Sequence, residues 1–204
     1  MVWHFTRLEY LREIASAGRL LCDEDVSPRA GSVANSDVKA RRRTRIVNAP
    51  DYPSGRSVAS HVPWYIAAKS PMLYVVTRNH PDAVLDRLVF LGMRLGDLEA
   101  SGLDWVASDS NAATALAQFS NELDRLGDFV DFDLLSAQFW NNTTDDPDRM
   151  SRRAAEVLVY GHVPLDLVSV VVARNEATLE DARKLLADAG YSHLRFKQSE
   201  AFSY

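Results

Sequence analysis

The chain is 204 residues long, 47% apolar, 9% aromatic and 25% charged, the composition of an ordinary globular domain. A formal charge of −5 excludes a uniformly basic nucleic-acid coat protein but leaves room for a local basic site. The one cysteine, Cys22, cannot close an internal disulfide or supply a thiolate cluster for structural zinc. No apolar run approaches the ~18–20 residues of a membrane span, the longest strong one being residues 167–173. The N-terminus lacks the basic and then apolar regions of a secretory signal. A cytoplasmic chain forming a single domain over residues 1–204 is therefore expected.

Thr6-Arg7-Leu8-Glu9 reads as a T-x-x-E capping box. Leu8, Leu11, Ile14 and Ala15 follow at helical spacing and Gly18 suits a left-handed cap, which predicts a helix over about 7–17. Over 22–63 apolar periodicity fades, prolines stand at 28, 50, 53 and 63, and residues 39–45 hold five positive charges in seven positions. This stretch reads as a long functional loop with a helical turn or two around 35–43. Residues 61–66 and 72–77 read as strands separated by the Lys69-Ser70-Pro71 turn, and 84–93 as another. Leu116, Phe119, Leu123 and Leu126 step by three and four, predicting an amphipathic helix over 111–126. A short helix is expected over 131–140, followed by the polar loop 141–148. Residues 167–173 form a β-branched strand by composition, 178–189 a helix closed by Gly190, and 191–196 the last strand. Helices and strands interleave irregularly, which favours an α+β fold over a regular βαβ sheet.

The common phosphate-binding and catalytic signatures are missing. The nine glycines never form G-x-G-x-x-G or G-x-x-x-x-G-K-[ST], so no Rossmann turn or P-loop is available to a nucleotide. Neither a G-x-S-x-G elbow nor the kinase signatures occur. His4, His61, His80, His162 and His193 do not fall at metal-ligand spacing, so no metal is expected. A bound nucleotide would have to be held by arginines and backbone amides in some other fold.

Four features carry candidate chemistry, each with a plainer reading beside it. Glu156 opens the apolar run Val157-Leu158-Val159-Tyr160, which puts a carboxylate at a core edge; pairing with Arg152 or Arg153 would explain it without function. The basic run 39–45 is either a solvated helix face or an anion site, since arginine forks hold phosphate bidentately. His4, between Trp3 and Phe5, is a core-edge residue or a ligand contact. Trp64, Tyr65 and Tyr74 are core aromatics or a stacking platform for a base.

Taken together, these segments resemble the DarT family of DNA ADP-ribosyltransferase toxins, enzymes paired with DarG macrodomain antitoxins. The resemblance is carried by Trp3-His4-Phe5-Thr6, by Ala17-Gly18-Arg19-Leu20-Leu21 and by the arginines near Arg42. It continues through His61-Val62-Pro63-Trp64-Tyr65, Ser70-Pro71-Met72-Leu73-Tyr74 and Ala155-Glu156-Val157-Leu158-Val159-Tyr160, in order over nearly the whole chain. It implies a PARP-like ADP-ribosyltransferase fold, a split β-sandwich core with helices and long substrate loops, that binds NAD as substrate without a Rossmann turn. Arg42 and Glu156 align with the family's catalytic arginine and glutamate. His4, Phe5, Thr6, Glu13, Leu21 and Arg42 align with its cofactor contacts, His4 offering a donor nitrogen to the adenosine-side ribose.

The long loop from Asn111 to Glu156 would read the substrate. The resemblance implies single-stranded DNA as that substrate, with thymine as the acceptor base and Arg41, Arg43, Arg45, Asn111, Arg152 and Arg153 as DNA contacts. Asn111 stands where some relatives have histidine, so base preference is not carried across with it. It further implies a toxin that blocks DNA replication, acting as a monomer, with a DarG-like antitoxin partner and no membrane. The alternatives are the same fold modifying guanine, RNA or protein, and a non-catalytic relative that binds NAD or single-stranded DNA. The presence of both Arg42 and Glu156 speaks against the last.

Overall fold

The computed structural model describes residues 1–26 and 36–200. In chain order they form β1 (Val2–Arg7), α1 (Leu8–Ala17), β2 (Arg19–Leu21), α2 (Ser36–Thr44), β3 (His61–Tyr65), α3 (Pro71–Asn79), α4 (Asp82–Leu85), β4 (Leu88–Met93), α5 (Leu95–Ala100), β5 (Trp105–Ser108) and β6 (Phe119–Ser120). There follow α6 (Leu126–Phe129), α7 (Phe132–Ser136), α8 (Arg149–Arg152), β7 (Glu156–Tyr160), β8 (His162–Pro164), β9 (Val168–Ala173), α9 (Glu176–Asp188) and β10 (Arg195–Gln198). No described helix is long and apolar enough to cross a membrane.

Eight strands form one sheet in the order β10-β9-β4-β1-β3-β7-β5-β6, and β2 pairs with β8 in a small second sheet. The large sheet is two half-sheets. β1 pairs with β4 continuously from Val2↔Met93 to Arg7↔Leu88, whereas it meets β3 in register only at Trp3↔Tyr65. Beyond that bridge β1 and β3 part. Pro63 is central to the parting. Its carbonyl faces β1, where it accepts a hydrogen bond from His4 Nδ1 at 2.9 Å. A strand residue's N–H and C=O share one edge, so the N–H that proline lacks would have faced the same gap.

Burial on both faces explains why β4, Leu-Val-Phe-Leu-Gly-Met, is apolar throughout. Val89, Leu91 and Met93 enter the main core with Leu11 and Ile14 of α1 and Ala182 and Leu186 of α9. Leu88 and Phe90 face the other way, against Leu73 and Val76 of α3 and Val172 of β9. A fully buried leucine such as Leu11 contributes about 1.5–3 kcal/mol. Gly92 interrupts β4 because the Trp3 ring lies across it. A Cβ there would stand 2.7 Å from Trp3 Cζ3 and 2.6 Å from Val170 Cγ1.

Several expected elements differ. The Thr6-x-x-Glu9 capping box does not form: Thr6 is committed to β1 opposite Val89, Arg7 occupies the cap position without a side-chain bond, and Glu9 instead pairs with Arg7 and Arg87. Residues 72–77 are helical, not a strand. Ser70 Oγ accepts from the Leu73 N–H and Pro71 fits the first turn, a helix-start signal that outweighs the β-branched run after it. The stretch 84–93 divides into the end of α4 and β4.

The helix expected over 111–126 is absent. Asn111 Oδ1 accepts from the Ala113 N–H and holds the backbone in a turn, after which Phe119 and Ser120 pair with β5. The last strand begins at Arg195, because 191–194 is a turn closed by Leu194 N–H to Tyr191 O. The helix 178–189 is observed as α9, capped by Asn175. Of the loop 22–63, residues 27–35 lie outside the described residues, and the helical turns expected at 35–43 are α2.

Candidate active site

Glu156 is the first residue of β7, paired in register with Tyr65 of β3. Its main chain is fixed by Ser108 on the neighbouring strand, whose Oγ accepts the Glu156 N–H at 3.2 Å and donates to the Ser110 carbonyl at 2.6 Å. The residue is only 2% exposed. A carboxylate so buried needs partners, and it has two. Arg42 Nη1 donates to both Oε1 and Oε2 at 3.0 Å, and the Ala112 N–H donates to Oε1 at 3.2 Å. The turn begun by Asn111 presents that amide, anchored by Asn111 N–H to Ser151 O at 2.9 Å.

Arg42 lies on α2 and is 9% exposed. One guanidinium nitrogen serves the whole carboxylate. The other, Nη2, is buried without an acceptor among the described residues. A buried unpaired donor is costly unless a ligand completes it. Trp64 Nε1, fully buried in β3 and 5.6 Å ring-to-ring from His4, is a second such donor.

His4 sits on the β1 side of the split. Its Nδ1 bonds the Pro63 carbonyl, so that nitrogen carries the hydrogen and Nε2 is an acceptor. The donor expected of His4 is therefore spent on the protein. Burial lowers its pKa, the Pro63 carbonyl opposes this, and the Arg42 charge lowers it further. His4, Thr6, Glu13 and Leu21 line one pocket together with Arg19. Phe5 does not join them. The alternation of β1 turns its ring to the opposite face, stacked 5.8 Å from Tyr65 and packed on Phe90. Tyr65 keeps its proton firmly, since burial and then the Glu156 charge raise its pKa.

The expected DNA contacts separate into two groups. Arg41 and Arg43 are exposed on α2 beside Arg42; Arg41 Nε reaches the Asp37 carbonyl at 3.4 Å and Arg43 lies 3.8 Å from Asp23. The other four are engaged by the protein itself. Arg45 donates to the Ala117 carbonyl at 2.7 Å and lies over the Phe119 ring. Asn111 shapes the turn under Glu156. Arg152 and Arg153, placed at a DNA surface by the sequence reading, are tied into the protein. Arg152 is held by Asp131, Asp146 and Asp148, and Arg153 is buried and bonded to the Leu134 carbonyl. Neither is the partner of Glu156; Arg42, 114 positions away in sequence, is.

Sequence reasoning missed the Ala112 amide, Ser108 and the spare Nη2 donor. A main-chain amide leaves no trace in residue type, and Ser108 has no motif. Among the described residues no cluster of three or more histidine, cysteine or carboxylate side chains forms a metal site.

This chain is similar to a DNA ADP-ribosyl transferase of Mycobacterium tuberculosis (strain ATCC 25618 / H37Rv), with 52% identity over 193 residues that cover 93% of this chain and 83% of that one. Thermus sp. 2.9 DarT in complex with ADP-ribosylated ssDNA has the same fold, with a TM-score of 0.89 at 23% identity over 100% of this chain and 95% of that one. Thermus sp. 2.9 DarT in complex with NAD+ superposes with a TM-score of 0.85 at 22% identity, covering 100% and 96%. Residues 3–201 match the family described as ssDNA thymidine ADP-ribosyltransferase, DarT, and this chain belongs to that family.

Proposed function

We propose that this protein transfers one ADP-ribose from NAD+ to a thymine of single-stranded DNA, with Glu156 and Arg42 as its catalytic pair. The observation that carries the assignment of roles is the buried carboxylate held by Nη1 of an arginine whose Nη2 is left without an acceptor among the described residues. In the reaction the bond from nicotinamide nitrogen to ribose carbon breaks with its electron pair leaving on nicotinamide, while a ring nitrogen of the base bonds the same carbon and releases its proton to solvent water.

Positive charge develops on the ribose, and Glu156 stabilises it while accepting a ribose hydroxyl. Burial makes that interaction stronger than it would be in water. Arg42 cannot accept the proton, because a guanidinium is a donor only. Its Nη2 instead donates to the base as the ring nitrogen becomes anionic, or to the diphosphate. His4 Nε2 accepts from the adenosine-side ribose, with Thr6, Glu13 and Leu21 completing that pocket. Arg41 and Arg43 meet the DNA backbone. The resemblance also supports a DarG-like macrodomain protein as the antitoxin partner.

The deciding experiment is the mass of a thymine- and guanine-containing oligonucleotide after incubation with protein and NAD+. A gain of one ADP-ribose on thymine, lost in Glu156→Ala while NAD+ still binds, supports the reading. No gain on any of several sequences, with NAD+ bound, transfers the assignment to RNA or protein.

A further inference from the structure

We infer that Leu116 is an apolar wedge that seats against the base next to the target and holds the strand unstacked at the active site. This deepens the single-stranded DNA reading and rests on it. A lone exposed leucine is ordinary on a protein surface. What sets Leu116 apart is its place.

The side chain is 90% exposed, while Ala112, Ala113, Ala117 and Phe119 around it are buried. It stands on a turn fastened at both ends to the elements that carry the catalytic pair. At one end the Ala112 N–H bonds Glu156 Oε1; at the other Arg45, three positions beyond Arg42, bonds the Ala117 carbonyl at 2.7 Å. Between them the chain is cross-tied by Thr114 N–H to Asn111 O and by Ala117 N–H to Thr114 O. Beyond, the Gln118 N–H bonds Asp109 Oδ1 at 3.0 Å. A turn so braced has little backbone freedom left to lose when it meets a ligand, which is what a wedge needs.

The charges on either side fix the path of the strand. Exposed Arg41 and Arg43 stand on α2, beside the Arg45 end of the turn, and attract phosphate. After the turn come Glu122, Asp124, Asp128, Asp131 and Asp133 against the single Arg125, a net negative stretch that repels it. The turn itself, 110–119, carries no charge. Its apolar tip therefore faces bases, not backbone. The chemistry needs such a contact. The ring nitrogen to be modified lies on the pairing edge, and even in a single strand the base must leave its stack to enter a buried site. An apolar side chain inserted at a base step replaces the lost stacking surface.

The test compares two oligonucleotides, one with the target thymine flanked by adenines and one with abasic sites in place of those neighbours. Leu116→Ala is expected to lower kcat/KM for the adenine-flanked strand about tenfold, the scale of one leucine contact, mostly through KM. On the abasic-flanked strand, where no stack has to be opened, it is expected to match the wild type. NAD+ binding and the thermal midpoint stay unchanged, and Leu116→Met restores the activity. Equal kinetics of Leu116→Ala and wild type on the adenine-flanked strand overturn the wedge, as does the same loss on both strands. If the wild type modifies neither strand, it is the DNA reading itself that fails.

Discussion

Two polar clusters, each built on one buried side chain, occupy opposite ends of one strand pair. At one end of β3 and β7, Tyr65 faces Glu156 and Arg42; at the other, His61 faces Tyr160 beside Tyr52 and Ser57. The His61 cluster is closed. Its Nδ1–H donates to the Ser57 carbonyl at 2.7 Å, and Nε2 accepts the Tyr52 hydroxyl at 2.9 Å. The Glu156 cluster is open, with a buried Nη2 donor that meets no acceptor among the described residues. Equal burial thus serves two ends. A satisfied network fixes the fold, and an incomplete one waits for a ligand.

Removing the carboxylate sharpens that contrast most. Glu156→Gln is expected to reduce ADP-ribose transfer about a thousandfold, comparable to deleting a main electrostatic stabiliser in other enzymes. It also strands the Arg42 charge, and breaking a buried pair costs about 3–5 kcal/mol, so the thermal midpoint falls. Glu156→Gln combined with Arg42→Gln is expected to regain stability and no activity. Recovery of transfer in the double variant, followed by oligonucleotide mass, would show that the pair serves folding alone.

Arg42→Lys separates the roles of the two terminal guanidinium nitrogens, Nη1 and Nη2. Because Nη1 alone spans both carboxylate oxygens, an ammonium can take its place and keep the pair. It cannot supply Nη2. Transfer is therefore expected to fall about a hundredfold, the lower range for one lost donor, with the thermal midpoint nearly unchanged. Near-normal turnover would remove Nη2 from the mechanism.

The same contrast explains what could be read in the sequence. Glu156 was legible because a carboxylate opening an apolar strand is an anomaly on residue type alone. Its partner was not. Arg152 and Arg153 are the near neighbours in sequence, whereas Arg42 arrives through tertiary folding. The split of the sheet follows only from the family resemblance, and the strand β1 that completes it lies where the capping box at Thr6 predicts the approach to a helix. The helix expected over 111–126 failed because its three-and-four spacing arises by chance on a chain that Asn111 bends first. That error concealed the Ala112 amide and the exposed Leu116 together.

Acid tests the closed cluster. Burial, foremost, lowers the His61 pKa from 6.5 to about 4. The unfolded chain therefore takes up a proton that the folded one refuses. The stability is present in full above pH 6.5 and is lost as pH falls toward 4, by about 3 kcal/mol in total. His4, shifted the same way, adds to the loss. The thermal midpoint is expected to decline over that range, with little change between pH 7 and 8. A flat midpoint from pH 7 to 4 would mean that the folded His61 accepts a proton freely and the cluster is not closed.

The smallest effect concerns the two arginine runs, which look alike in sequence. Around α8, Arg149 and Arg152 meet Asp131, Asp146 and Asp148, two positive charges against three negative, which disfavours phosphate beside them. Arg41 Nε reaches the Asp37 main-chain carbonyl at 3.4 Å, Arg43 lies 3.8 Å from an Asp23 carboxylate that Lys39 holds at 2.6 Å, and both arginines stay exposed. If each holds one phosphate, Arg41→Ala with Arg43→Ala lowers single-stranded DNA affinity severalfold and flattens the slope of log affinity against log salt by about 1.4. Arg152→Ala leaves that slope unchanged and lowers the thermal midpoint instead, because three carboxylates lose their common counter-charge. A salt titration of both variants separates the runs, since only a contact that releases counterions from DNA can change the slope.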